Sequence, residues 1–145
     1  MPKTPVTLFR NTQQPSSQPA RPVSRLRLLV VDDNVDAAEA LSQLLKQSGH
    51  EVHLATDGPA ALDTVAQAAP DVIFLDIGMP GMSGYDVARA LREMPRGEEF
   101  VIVAVTGWGT AEDKSKAKAA GFDHHLTKPA DFDAVEQILE SVTND

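Results

Sequence analysis

The chain has 145 residues, 42% apolar and 23% charged, with a formal net charge of -8 and no cysteine. That is the make-up of one globular domain with a sizeable core, and it excludes a disulfide framework and any thiolate metal site. No apolar run approaches the ~20 residues needed to cross a bilayer and no signal-peptide segment opens the chain, so a cytoplasmic protein without membrane insertion is expected.

Residues 1–25, MPKTPVTLFRNTQQPSSQPARPVSR, are rich in Pro, Gln, Ser and Thr and lack periodicity. They carry Lys3, Arg10, Arg21 and Arg25 and no acid, whereas the remainder carries nine basic and 21 acidic residues, a net of -12. The segment reads as a disordered tail or linker, with a basic targeting peptide as the alternative. The acidic remainder, taken as one domain over residues 26–145, is a poor candidate for direct nucleic-acid binding, which requires a basic footprint.

From Leu26 the pattern alternates. LRLLVV predicts a strand ending at Asp32-Asp33, and a helix follows with Val35, Ala38, Leu41, Leu44 and Leu45 on one face and Gly49 as its stop. EVHLA is a short strand, and Asp57-Gly58-Pro59 opens a helix carrying Ala61, Leu62, Val65 and Ala69. DVIFL is the third strand; Ser83 caps the next helix, with Asp86 in its first turn and Val87, Ala88 and Leu91 inward. FVIVAV is the fourth strand, AEDKSKAKAA a helix stopped by Gly121, and HHL a short fifth strand. Asp131 caps a last helix with Phe132, Val135, Ile138, Leu139 and Val142 inward. Five strands alternating with five helices predict an α/β domain, a parallel sheet covered on both faces.

Right-handed crossovers place every strand's carboxyl end on one rim. That rim collects Asp32 and Asp33, Asp76, Thr106 and Lys128 from four different strands, and a doubly wound sheet whose order reverses beside its first strand lets them share a crevice. Taken singly, each has a plain explanation as a cap, a strand end or a loop. Together and in order they suit transfer of a phosphoryl group onto a carboxylate. Three carboxylates need a positive partner, and an all-oxygen set fits a hard cation such as Mg2+. Lys128 adds a second positive charge, Thr106 a hydroxyl, and Asp76 the attacking oxygen.

The motifs LLVVDDN, VIFLDIGMPGMSGYDVARALR, VIVAVTGW and AGFDHHLTKP together resemble the receiver domain of two-component response regulators, over about residues 26–142. The resemblance implies a single flavodoxin-like (βα)5 domain with sheet order 2-1-3-4-5. It implies Asp76 as phosphoacceptor and Asp33 as a direct Mg2+ ligand, with Asp32 acting largely through water and the Gly78 carbonyl as a further ligand. Thr106 and Lys128 contact the phosphoryl group, and the Lys128-Pro129 bond is cis. The implied donor is a histidine kinase or a phosphotransfer protein, with a downstream protein partner and no enzymatic turnover beyond the domain's own phosphorylation and slow dephosphorylation. The chain reads as a stand-alone single-domain regulator. The TGW and AGFDHHLTKP variant also resembles receivers at the carboxyl end of hybrid sensor kinases, which makes a hybrid-kinase fragment the alternative.

The position three before the lysine, usually Tyr or Phe in receivers, is His125, a switch residue or a half-exposed strand histidine. Trp108, two residues beyond Thr106 between Gly107 and Gly109, is expected near the crevice, where it tunes phosphoryl lifetime or simply packs on a neighbouring helix. His50, His53 and His124 have no carboxylate or cysteine at metal spacing. A Mg-dependent phosphatase with an Asp nucleophile is the remote alternative; its general acid lies two positions on, where this chain has Gly78.

Overall fold

A computed structural model describes residues 25–107 and 109–143 of the chain. The expectations made for the 1–25 tail, apart from Arg25, and for Trp108 fall outside the described residues. Strands β1 (Arg27–Val31), β2 (Glu51–Ala55), β3 (Val72–Asp76), β4 (Val101–Thr106) and β5 (His124–Thr127) form one sheet in the order 2-1-3-4-5. Every pairing is parallel. The helices between them are α1 (Val35–Gln47), α2 (Gly58–Ala68), α3 (Gly84–Glu93), α4 (Ala111–Ala120) and α5 (Phe132–Thr143).

Alternation along the strands divides the core into two layers. Leu28, Val30, Phe74 and Val103 face one side, with Leu45 of α1 and Val135, Ile138 and Leu139 of α5. Leu29, Val31, Ile73 and Ile102 face the other, with Val65 of α2 and Val87 and Leu91 of α3. Burial on both faces explains why β1, β3 and β4 read as continuous apolar runs. No helix among the described residues is long and apolar enough to cross a membrane.

The helix starts follow the expected chemistry. Asn34 accepts from the Ala37 N–H at 3.1 Å, Asp57 from Ala60 at 2.8 Å and Asp131 from Asp133 at 3.1 Å. Ser83 and Asp86 form a reciprocal capping box. Four helix assignments are corrected, the first being Ala69, which lies beyond α2 as its exposed, left-handed C-cap. Val35, Leu44 and Phe132 are expected inward but are 49%, 42% and 37% exposed. Val35 and Phe132 are the first residues of their helices, ahead of the turns that meet the sheet. Leu44 is turned ~100° from Leu45, which takes the core position.

One polar side chain ties the far end of the domain together. The Arg92 guanidinium, from α3, donates to the carbonyls of Gly97 and Phe100 at 2.8 Å each and to Gly121 at 2.9 and 2.8 Å. It also pairs with Asp123 at 2.6 Å, whose carboxylate accepts from the Ile102 N–H at 2.9 Å.

Candidate functional site

The site is built where β1, β3 and β4 end. Asp32 continues the β1 ladder by one bond, its N–H donating to the Ala55 carbonyl at 3.1 Å. Its side chain is buried and accepts from the Asn34 N–H at 2.9 Å, so the residue that caps α1 also fixes this carboxylate. Asp33, the next residue, is exposed. Asp76 is the last residue of β3, paired with Val105, and is buried at 6% exposure. One of its oxygens accepts from the Gly78 N–H at 3.2 Å. Thr106 closes β4 and is buried, and its carbonyl accepts the Lys128 N–H at 2.7 Å. That bond anchors the backbone from which the Lys128 side chain reaches back across the sheet. The Lys128-Pro129 bond is cis.

The Lys128 Nζ lies 3.1 Å from Asp32 Oδ2 and 3.4 Å from Asp76 Oδ1. Asp32, Asp33 and Asp76 each offer a carboxylate oxygen, all within 4.8 Å of one another. Three carboxylates and one ammonium leave the cluster with excess negative charge. An all-oxygen donor set with that excess is chemically suited to a hard divalent cation. Burial pushes the Asp76 carboxyl above its ordinary range and the charge of Asp32 adds to this, against the Gly78 hydrogen bond and the Lys128 charge. Burial pulls the Lys128 ammonium down, but its hydrogen bond to Asp32 and the charges of Asp76 and Asp32 outweigh that and raise it. A carboxylate held between burial and a shared lysine tolerates more negative charge beside it only with further positive charge nearby.

The structure thus brings together Asp32, Asp33, Asp76, Gly78, Thr106 and Lys128 from four separate stretches of chain. His125 lies in β5, on the face opposite Leu126, and both its ring nitrogens are buried without a hydrogen-bond partner among the described residues. Burial and then the Lys114 charge hold its pKa down, opposed by Asp113. Of the other histidines, His50 is buried and accepts from the Leu26 N–H at 3.1 Å, and His53 pairs with Glu51 at 2.8 Å. Neither joins a group of metal-ligating residues among the described residues.

Sequence reasoning missed Gly84. A Cβ there would stand 2.5 Å from the Asp76 carbonyl oxygen and 2.6 Å from Ile77 Cα, and the Gly84 N–H donates to the Ile77 carbonyl at 3.0 Å. The start of α3 therefore touches the backbone that presents Asp76. Gly84→Ala is expected to force α3 away from β3, destabilising the fold by about 1–3 kcal/mol. Urea unfolding and titration with Mg2+ together check this, since the same shift displaces Asp76 and weakens cation binding. A variant with wild-type values in both would show that the contact is relieved elsewhere.

A doubly wound five-stranded sheet of this order, with an acidic cluster and a lysine at its carboxyl rim, defines a flavodoxin-like domain. The chain belongs to the response regulator receiver family: the family model described as "Response regulator receiver domain" matches residues 28–140. It is 36% identical over 117 residues to the two-component response regulator PhoP of Pseudomonas aeruginosa, covering 81% of this chain and 51% of PhoP. It is 33% identical over 109 residues to a 14.6 kDa protein of Leptolyngbya boryana, covering 75% of this chain and 83% of that one. Among solved structures, the chemotaxis protein CheY4 of Vibrio cholerae superposes with a TM-score of 0.77 at 31% identity, covering 82% of this chain and 99% of that chain. The chain spans about half the length of PhoP, 51%.

Proposed function

We propose that this chain is a phosphorylation-dependent signalling module whose Asp76 receives a phosphoryl group from the phosphohistidine of a histidine kinase or phosphotransfer protein. The observation that carries the reading is the single ammonium of Lys128, set 3.1 Å from Asp32 and 3.4 Å from Asp76 at the rim of the sheet. An Asp76 oxygen forms the bond to phosphorus as the phosphorus–nitrogen bond breaks, and the imidazole keeps the electron pair and takes up a proton. Lys128 and the Thr106 hydroxyl serve as donors to the phosphoryl oxygens. Asp33, Asp76 and the Gly78 carbonyl would hold Mg2+, with Asp32 acting through water. When bound, the ion supplies charge neutralisation at the phosphoryl oxygens. Gly78 stands where a phosphatase of the Asp-nucleophile kind has its general acid, which speaks against turnover of external phosphoesters.

Intact-mass measurement after incubation with acetyl phosphate and Mg2+ tests the reading. One labile phosphoryl adduct is expected, absent when the metal is chelated before incubation and slower to form in Asp33→Ala. A wild-type protein that stays unmodified under these conditions overturns the proposal.

The switching surface is expected around α4. That helix buries only Ala117 and Ala120, and exposes Lys114, Lys116 and Lys118 in an otherwise acidic domain. Few buried contacts make it the element easiest to displace, and the unpartnered His125 ring lies against it. Hydrogen exchange with and without beryllofluoride and Mg2+ is expected to show altered protection over residues 111–120. Equal protection in both states would remove α4 from the switch.

A further inference from the structure

Between α1 and the loop joining β5 to α5 lies an open cleft of about 500 Å³. Its walls are Leu41 and Leu44 on one side and Pro129 and Ala130 on the other, over a floor of Phe74 and Val105. Asp32 and Lys128 line it too, so the cleft borders the acidic cluster. Leu44 is 42% exposed, so the α1 wall of the cleft presents an apolar side chain to the open space. The exposed acids Asp33, Asp36 and Asp131 adjoin the lining residues Asp32, Ala37 and Ala130 in the chain. An occupant that fits is a short apolar stretch followed by positive charge.

The chain carries such a stretch itself. Within residues 1–24 the apolar side chains cluster once, at Val6-Thr7-Leu8-Phe9, which holds that segment's only leucine and only aromatic residue. Arg10 follows directly. The first 25 residues hold four basic residues and no acid against the -12 of the remainder, so attraction between the two is built into the sequence. Reach is ample. The chain between Phe9 and Leu26 can span at most about 55 Å. The path along β1 from Leu26 to the cleft is only about 17 Å. Tethering keeps the local concentration near the millimolar range, so a weak contact suffices to fill the cleft.

We propose that the Val6–Arg10 stretch docks in cis into the cleft between α1 and the β5–α5 loop. Leu8 and Phe9 pack on Leu41, Leu44 and Ala130, and Arg10 turns to Asp33 and Asp36. The docked stretch covers the approach to the acidic cluster across α1, and so competes with any protein that must reach Asp76 from that side.

The absence of cysteine allows a direct test, because Thr12→Cys creates the only thiol and accepts a single nitroxide label. In the isotope-labelled full chain, the amide signals of Leu41, Leu44 and Ala130 are expected to be lost relative to a diamagnetic control. Adding Leu8→Ser and Phe9→Ser should restore them, and high salt should restore them in part. A mixture of spin-labelled, isotopically unenriched chain with isotope-labelled wild-type chain should show no loss. Loss in that mixture would assign the cleft to a second copy and overturn docking in cis. Uniform broadening, broadening centred on another face, or broadening that survives the double serine substitution would each overturn it as well.

Discussion

Asp76→Asn is expected to abolish the phosphoryl adduct completely and, without divalent cation, to make the protein more stable than wild type. The first effect follows from the proposed role of Asp76, since an amide matches the shape of the carboxylate but lacks the nucleophilic oxygen. The second follows from the environment. Asp76 is desolvated beside a second carboxylate, and its pKa is raised above the ordinary 3.8, so the folded state disfavours its charged form. The sign is therefore a penalty, absent at pH below about 3.8 and growing as pH rises through the folded value. The stabilising effect of Asn should appear over that same window and persist at neutral pH. Thermal melts from pH 3 to pH 8, with and without Mg2+, measure it, and the wild type should gain more from Mg2+ than the variant. Formation of the adduct by Asp76→Asn at the wild-type rate would sink the acceptor assignment. A variant less stable than wild type at neutral pH would show that the Lys128 contact outweighs desolvation.

Arg92→Ala should be among the most damaging single substitutions away from the site, at about 2–4 kcal/mol. The side chain is 19% exposed, and its guanidinium reaches the carbonyls of Gly97, Phe100 and Gly121 together with Asp123. Removing it leaves those acceptors short of a donor and frees the Asp123 carboxylate that also holds the Ile102 N–H. The loops before β4 and β5 then lose their common anchor. Arg92→Lys should recover little, because an ammonium lacks the planar fork that reaches several acceptors at once. Urea unfolding gives the comparison. A loss below about 1 kcal/mol for Arg92→Ala would mean that water replaces the network.

The regular alternation of apolar strands and amphipathic helices made the sheet legible in the sequence, and with it the placement of Asp32, Asp76, Thr106 and Lys128 on one rim. A parallel sheet leaves strand ends no other place to go. What local pattern could not express were contacts made between distant backbones. Gly84 matters because α3 begins against the Asp76–Ile77 backbone, and Arg92 because its acceptors lie up to 31 positions away. Neither leaves a periodic trace. Asp76 belongs to β3 although the apolar run stops at Leu75, since ladder pairing with Val105, not hydropathy, ends the strand. The helix faces failed at Val35 and Phe132 for a related reason, since a helix longer than its contact with the sheet carries apolar residues beyond it, and at Leu44 because it is turned away from the core position that Leu45 takes.

The order of strands in the sheet differs from their order in the chain, and this shapes how a nascent chain emerges. β1 is completed first but is flanked by β2 and β3, and its Leu28↔Val72 pairing must wait for 44 further residues. Until then one edge of the fully apolar LLVV stretch is open, next in time to the equally apolar VIFL. Unpaired edges of this composition add copies of themselves readily. The acidic surplus of the chain and the immediate Asp32-Asp33 and Asp76 that close those strands set like charges at the ends of both stretches. Charges that close an apolar strand stand where gatekeepers against aggregation stand, and here they are the same carboxylates that cluster at the rim.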